Sequence, residues 1–445
     1  MSRQNRTFSD HTKLTDERQR RRLVIVVRAD PVICGHSGEA RNLAEAALQR
    51  GFTEVRILSW PLDLLVASGL PLKPLDGMTL YSEGIEVERP EPVGDYKVVD
   101  GRYLAGMTGR LVELFTDGVP TVCMSLYLSP HTIAVSDALR VAQSTGLPVP
   151  VITIAEAVGS DVTNVVRSCV ADGRFGAAAQ VLVAYLDSDV PVAVSDYTRE
   201  LIISSAADVD ARHGTDFADR CRQRVAISYP AINTADYLGL DPELMSEALA
   251  RRDLVPNGYV LFLSRLAHAK GVDELIHGFA ASAACADQRL VIAGNGPQAG
   301  ELRALATSTS AADGIVFLDD VDDDEKPFLM AGCSAFVLPS KPRPEFVETF
   351  GIALVEKMLA GGGPVITTDT GGIGEAVGDT ALIVPVESPS SITAALDLAL
   401  TMPCEERTAM AERARDHALQ FDRMRVFDLL LDRIAAVTEP ELYVA

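Results

Sequence analysis

The 445-residue chain is poor in cations: 40 Lys and Arg stand against 62 Asp and Glu, a formal net charge of −22. That balance argues against nucleic acid as a partner, since the phosphate backbone is bound by neutralising cations. It also gives no long-range pull toward anionic lipid. Cysteine is sparse. The seven residues (34, 123, 169, 221, 285, 333 and 404) include no Cys-x-x-Cys, and an odd number cannot all pair. Free thiols in a reducing cytosol are the expectation. No His/Cys group has zinc spacing, so no metal is expected from that source. No apolar run reaches membrane-spanning length, the first residues are polar, and no short-period repeat occurs. These absences together predict a soluble, cytoplasmic protein. The dinucleotide fingerprint Gly-x-Gly-x-x-Gly is missing too, which weakens any reading of Gly371–Gly374 as a cofactor turn in an oxidoreductase.

What remains is ordinary globular composition, 47% apolar and 23% charged, in a chain too long for one hydrophobic core. Residues 1–21, ending in the basic run Arg18–Arg22, read as a flexible tail. Leu23–Val27 is a continuous apolar run, as in a buried parallel strand. A loop over 34–42 follows, then a helix from Asn42 to Gly51 and a strand at Val55–Leu58. This β-loop-α-β order opens a Rossmann-like half. The loop holds Gly38 and offers His36 and Ser37 as polar groups. Residues 60–105 read as an insertion of Pro-rich turns and polar strands. Strands are expected at 118–127 and 148–154. Between them a helix runs to Gly146, with Ser129 as cap, Pro130 in the first turn and His131 beside it. The pattern restarts near Gly258 after a linker at 241–257. The strand Tyr259–Leu263 leads into a turn flanked by Arg265 and Lys270, with a helix behind it. Two cations at a helix N-terminus make a diphosphate clamp. Further strands are expected at 289–297, with a tight turn at Gly294, and at 315–320. The Asp-x-Asp inside 319–325 reads as a solvated acidic loop, and no required metal is predicted.

Residues 340–378 carry the sharpest chemistry. Glu348 and Glu356 stand eight apart with Phe350 and Gly351 between them. From Ile352 the apolar spacing becomes helical (Ile352, Val355, Leu359), and Gly361–Gly363 with Pro364 end it. Glu348 therefore lies in a loop, the amides of Gly351, Ile352 and Ala353 form a helix N-terminus open to an anion, and Glu356 sits one turn inside. Phosphate-binding amides between two hydroxyl-binding carboxylates suit a sugar nucleotide.

Pro339-Ser340, Glu348, Phe350-Gly351, Glu356, Gly363-Pro364 and Gly371-Gly372 with Glu375 resemble the Glu-x7-Glu motif of the retaining GT-B glycosyltransferases, the family-4-like group related to glycogen and sucrose synthases. Arg265 and Lys270-Gly271 resemble that family's donor element. The resemblance implies an α/β fold of GT-B architecture, two Rossmann-like domains facing a cleft. The acceptor domain would span 22–240 and be rejoined by a terminal helix at 421–437; the donor domain would span 258–418. It implies transfer of a sugar from a nucleoside diphosphate to a small polar acceptor, an aminocyclitol, a sugar or a thiol, in bacterial specialised metabolism. It implies no cofactor and no metal, and it admits a homodimer. By the same resemblance Arg265, Lys270 and Glu348 serve catalysis. Gly38, Gly294, Leu318, Phe350, Gly351, Ile352, Ala353 and Glu356 hold the donor. His36, Ser37, His131 and Glu156 face the acceptor. Relatives often carry a His where the strand at 148–154 ends; here Ala155-Glu156-Ala157 follows, and Glu156 or His131 is the nearest substitute. A phosphorylase or epimerase on the same fold, or a non-catalytic sugar-nucleotide binding subunit, are the alternatives.

Overall fold

A computed structural model of the chain describes residues 20–438 apart from 29, 33, 70–71, 73–79, 96, 98 and 345. Most of the tail expected over 1–21 lies outside the described residues. Contacts divide the chain into two units: residues up to Ala231 with the segment from Arg423 onward, and Ile232–Asp422.

The first unit is built on seven parallel strands: β1 (Arg22–Val26), β2 (Glu54–Leu58), β3 (Ile85–Glu88), β4 (Thr121–Leu126), β5 (Val151–Ala157), β6 (Val190–Ala193) and β7 (Ala226–Ile227). They lie in the order β3-β2-β1-β4-β5-β6-β7. β1, β4 and β5 are buried at every position, which is why they read as largely apolar runs rather than alternating ones, with Arg22 and Glu156 as the charged exceptions. Strand order reverses between β1 and β4, where Ile25 pairs with Met124. The segments following those two strands border the crevice at which open α/β sheets bind ligands.

Helix α1 (Gly35–Gln49) buries Ala40, Leu43, Ala44 and Ala47 against β1 and β2. It starts at Gly35, not at Asn42, because this apolar spacing already runs through the supposed loop. A second helix, α2 (Val99–Thr116), packs Met107, Leu111, Leu114 and Phe115 on the opposite face. With β3 it makes 60–105 part of the sheet's own β-α crossover rather than an insertion. The helix after β4, α3 (Ile133–Ser144), begins later than expected. Ser129 is extended (φ −137°, ψ 125°) and makes no capping bond. The basic run is anchored where it is described. Arg22 is 2% exposed, and its guanidinium donates to Glu54 (2.7 Å), Asp117 (2.6 Å) and the Leu114 carbonyl (2.9 Å). Burial pushes the Glu54 carboxyl up, but hydrogen bonds from Arg22 and Arg56 outweigh it and hold it at about 2.

Six parallel strands build the second unit: β8 (Tyr259–Leu263), β9 (Arg289–Ala293), β10 (Ile315–Leu318), β11 (Ala335–Leu338), β12 (Val365–Thr367) and β13 (Leu382–Ile383). Their order, β10-β9-β8-β11-β12-β13, reverses between β8 and β11. Helix α4 (Val272–Ala281) follows β8, and α5 (Ile352–Ala360) follows β11. The stretch read as a linker holds a helix, Pro242–Arg251, capped by the Asp241 carboxylate. Arg252 behind it donates to Glu325 at 2.7 Å and to Asp320 at 2.9 Å, so 241–257 belongs to the second unit. The last helix, α6 (Arg423–Thr438), returns to the first: Val426, Phe427, Leu430 and Ile434 join the core of Leu23 and Leu43. Among the described residues no helix is long and apolar enough to cross a membrane.

Candidate active site

In the second unit the turn after β8 and the loop after β11 are stitched together by main chain. The Lys341 amide donates to the Ala269 carbonyl at 2.8 Å. Gly271 has φ +67°, and a Cβ there would collide with the Pro339 carbonyl. The Gly after Lys270 is thus demanded by backbone approach. This places Lys270 Nζ where it donates to Glu348 Oε2, both side chains being largely buried. The Phe346 ring lies under both cations, 5.9 Å from the Arg265 guanidinium and 5.0 Å from the Lys270 ammonium. Behind Glu348 the Gly371-Gly372 turn closes in. The Gly372 amide donates to the Glu348 carbonyl at 2.9 Å, and a Cβ at Gly371 (φ +61°) would strike that oxygen.

Gly351 (φ 105°) starts α5, so the amides of Ile352 and Ala353 belong to its first turn, the positive end of the helix dipole. Phe350 is packed edge-to-face on Phe421 at 4.9 Å, which fixes the loop rather than facing solvent. Glu356 is held from two sides: Lys326 Nζ donates to its Oε1 at 2.8 Å, and the Tyr237 hydroxyl also bonds it. The Gly294 amide donates to the Leu318 carbonyl at 2.8 Å, joining the ends of β9 and β10. The second unit thus brings the three expected catalytic residues, Arg265, Lys270 and Glu348, into one cluster; of the expected donor set, Gly38 lies in the other unit.

Two lysines escaped the sequence reading. Lys326 directly follows 319–325, the stretch read as an acidic loop, and opens the helix Lys326–Gly332. Lys341, 3% exposed, donates to Asp273 at 3.0 Å and to Glu274. Those carboxylates sit in the first turn of α4 beside Lys270, and the Lys341 charge offsets them. Nothing in the sequence marked Lys341 except its place after Pro339-Ser340. Asp320 and Glu325 of the acidic loop are committed to Arg252.

In the first unit the expected acceptor-side residues gather after β1, β4 and β5. Cys34 precedes α1, its Sγ 3.2 Å from the Ser37 hydroxyl, which donates to the Arg28 carbonyl at 2.7 Å. Burial would raise the Cys34 thiol, but the hydrogen bond and charge of His36 pull it down to about 6. The His36 ring packs edge-on against Tyr127, with centroids 6.2 Å apart. Gly38 lies in the first turn of α1, with open space where a Cβ would stand. His131 offers no nitrogen to a substrate. Its Nδ1 bonds the Leu126 carbonyl at 2.8 Å, and its Nε2 accepts from Trp60 Nε1 at 3.0 Å. Burial drives its pKa to about 3, so the ring is neutral and Nδ1 carries the proton. Glu156 is fully buried on β5 and Glu39 of α1 nearly so. Burial and mutual repulsion raise the Glu156 carboxyl; burial raises that of Glu39.

Two parallel sheets, each reversing after its first strand, place the chain among GT-B folds, and solved structures agree. The chain is similar to the Anabaena protein HepE, crystallised in complex with UDP and glucose: TM-score 0.67, 16% identity, 93% of this chain and 99% of that one. It is also similar to WaaG, a glycosyltransferase involved in lipopolysaccharide biosynthesis: TM-score 0.60, 19% identity, 92% and 98%. Residues 253–417 match the family described as Glycosyl transferases group 1. Curated relatives include the D-inositol 3-phosphate glycosyltransferase of Salinispora tropica, 30% identical over 224 residues, 47% of this chain and 45% of the relative. The 2-deoxystreptamine glucosyltransferase of Streptomyces kanamyceticus is 32% identical over 118 residues, 26% and 29%. A GDP-mannose-dependent alpha-(1-6)-phosphatidylinositol monomannoside mannosyltransferase of Mycobacterium tuberculosis is 30% identical over 215 residues, 47% and 52%. The chain spans about half the length of the first and third of these.

Proposed function

We propose that the chain is a retaining glycosyltransferase that moves a sugar from a nucleoside diphosphate to a small polar acceptor. The observation that carries this reading is the convergence of Arg265, Lys270 and Glu348 beside the N-terminus of α5. The main chemical demand is stabilisation of the departing diphosphate. Lys270, held by Glu348, together with Arg265 over the Phe346 ring and the first-turn amides of α5, supplies it where charge develops. Glu348, oriented by Lys270 and by the Gly371-Gly372 turn, accepts from hydroxyls of the transferred sugar, and Glu356 accepts from the ribose. No resident cofactor is needed, and the positive charge a divalent ion would bring is already present in the clamp. Relatives named for transfer to D-inositol 3-phosphate and to 2-deoxystreptamine support a compact polyol acceptor.

The test is release of nucleoside diphosphate from a panel of UDP-, GDP- and ADP-sugars, with and without cyclitol acceptors. Acceptor-dependent release with retained anomeric configuration is expected, lowered about 30- to 1000-fold by Arg265→Ala, the equivalent of roughly 2–4 kcal/mol in the barrier. Release without any acceptor would favour the phosphorylase or epimerase alternative. An unaltered rate in Arg265→Ala would remove the clamp from the mechanism.

A further inference from the structure

Three buried carboxyl oxygens in the first unit have nothing to accept from. Glu156 is 0% exposed and neither of its oxygens meets a donor among the described residues; Glu39, 2% exposed, leaves Oε1 in the same state. Its other side is satisfied by the backbone N–H of Ala231. The two carboxyls adjoin. An uncompensated buried carboxylate is costly, and buried charge elsewhere is met by a counterion, as with Arg22 and Glu54 or Lys341 and Asp273, or by backbone groups, as with Lys357 and the Gly361 carbonyl. Here, among the described residues, no Lys or Arg pairs with either carboxyl, and the one positive charge close by is that of His36, on the Glu39 side. Asp161, the neighbouring acid, is occupied by the amides of Leu128, Gly159 and Val162.

Two states relieve the pair. The carboxyls can share a proton, or a cation can enter. A hydroxyl brings one donor and leaves two of the three oxygens unmet, whereas an ammonium brings three N–H donors, one for each. The position favours a ligand. Glu39 lies one turn along α1 from exposed Gly35, and half-buried His36 beside it carries a buried Nδ1 that also lacks a partner. All of this stands at the end of the sheet where β1 and β4 diverge.

We propose that Glu39 and Glu156 form the recognition site for a protonated amino group, so that the acceptor class is an amine-bearing cyclitol or sugar, with His36 Nδ1 bonding a neighbouring hydroxyl. The word acceptor rests on the glycosyltransferase reading; the binding site does not. The experiment is calorimetric titration of the full chain with 2-deoxystreptamine, its N-acetylated form and myo-inositol, in wild type, Glu39→Gln and Glu156→Gln, with UDP and GDP titrated in parallel. The free amine should bind at least ten-fold more tightly than either neutral ligand, and both glutamine variants should lose that margin while nucleotide affinity stays unchanged. Equal affinity for the three ligands in wild type, no binding of the amine, or a margin that survives both substitutions would overturn the site. The wild-type comparison decides even where a variant fails to fold. Amine binding without nucleotide binding would leave this site standing and remove the glycosyltransferase reading instead.

Discussion

The pairing of Lys326 with Glu356 separates a structural role from a binding role. Their side chains are 20% and 15% exposed, and the ion pair spans 2.8 Å. Tyr237 covers the ammonium with its ring at 5.6 Å and bonds the carboxylate through its hydroxyl. Lys326→Met keeps the aliphatic stem and removes the charge, leaving a mostly buried carboxylate with one donor. Breaking a fully buried pair costs about 3–5 kcal/mol and an exposed one under about 1 kcal/mol. At this exposure about 1–3 kcal/mol is expected, a fall in Tm of roughly 2–12 °C for a unit of this size. Adding Glu356→Gln leaves no stranded charge, so the double variant should regain most of the lost stability. Nucleotide affinity should behave differently. Glu356→Gln alone and the double variant should both bind about ten-fold more weakly than wild type, about 1.4 kcal/mol. Calorimetric unfolding and nucleotide titration on the four proteins complete the cycle. If the double variant recovers both stability and affinity, Glu356 exists to pair Lys326, and its ribose role fails.

Gly371→Ala puts a Cβ against the Glu348 carbonyl at positive φ, so it should cost roughly 1–3 kcal/mol and lower sugar transfer through displacement of Glu348; wild-type turnover in a stably folded variant would contradict this. Cys34 should alkylate with a midpoint near pH 6, detectable by peptide mapping with iodoacetamide, and His36→Ala should move that midpoint upward because the imidazole is what holds the thiol down. A midpoint unchanged by the substitution would uncouple the two residues. The buried carboxyls reverse the usual pH sense. Their folded pKa values are raised, so their stability contribution is intact below the free-carboxylate range and is lost as pH climbs from about 4.5 toward neutrality. Glu156→Gln should therefore stabilise the protein more at pH 8 than at pH 5, as read by thermal unfolding; an equal effect at both values would place the proton elsewhere.

Much of this was legible in the residues. Both sheets are visible in the sequence because parallel strands covered on both faces are apolar over most of their length, as in β1 after Arg22 and in β8. Helix α5 was bounded correctly by Gly351 and Gly361, whose backbone angles other residues resist. Helix α1 was placed late because Gly35 and Gly38 looked like loop, although Ala40, Leu43, Ala44 and Ala47 carried the helical spacing. Helix α2 is masked in the sequence: its face of Met107, Leu111, Leu114 and Phe115 follows a Pro-rich approach that carries turn signals. The donor motif could be found by spacing, but its stitching could not. That Gly271 answers to Pro339, and Gly371 to Glu348, is a matter of loops meeting across sheet order. The partners Lys326 and Lys341 were hidden for the same reason. Nor could spacing show that His131 is consumed by Trp60 and Leu126, or that Glu39 and Glu156 meet.

The most direct measurement is calorimetric titration of UDP, GDP and ADP into wild type and Glu356→Ala. One of the three should bind well above the others, and the substitution should weaken it by about ten-fold or more. Failure of all three to bind wild type, or undiminished affinity in the variant, would contradict a sugar-nucleotide site at this position.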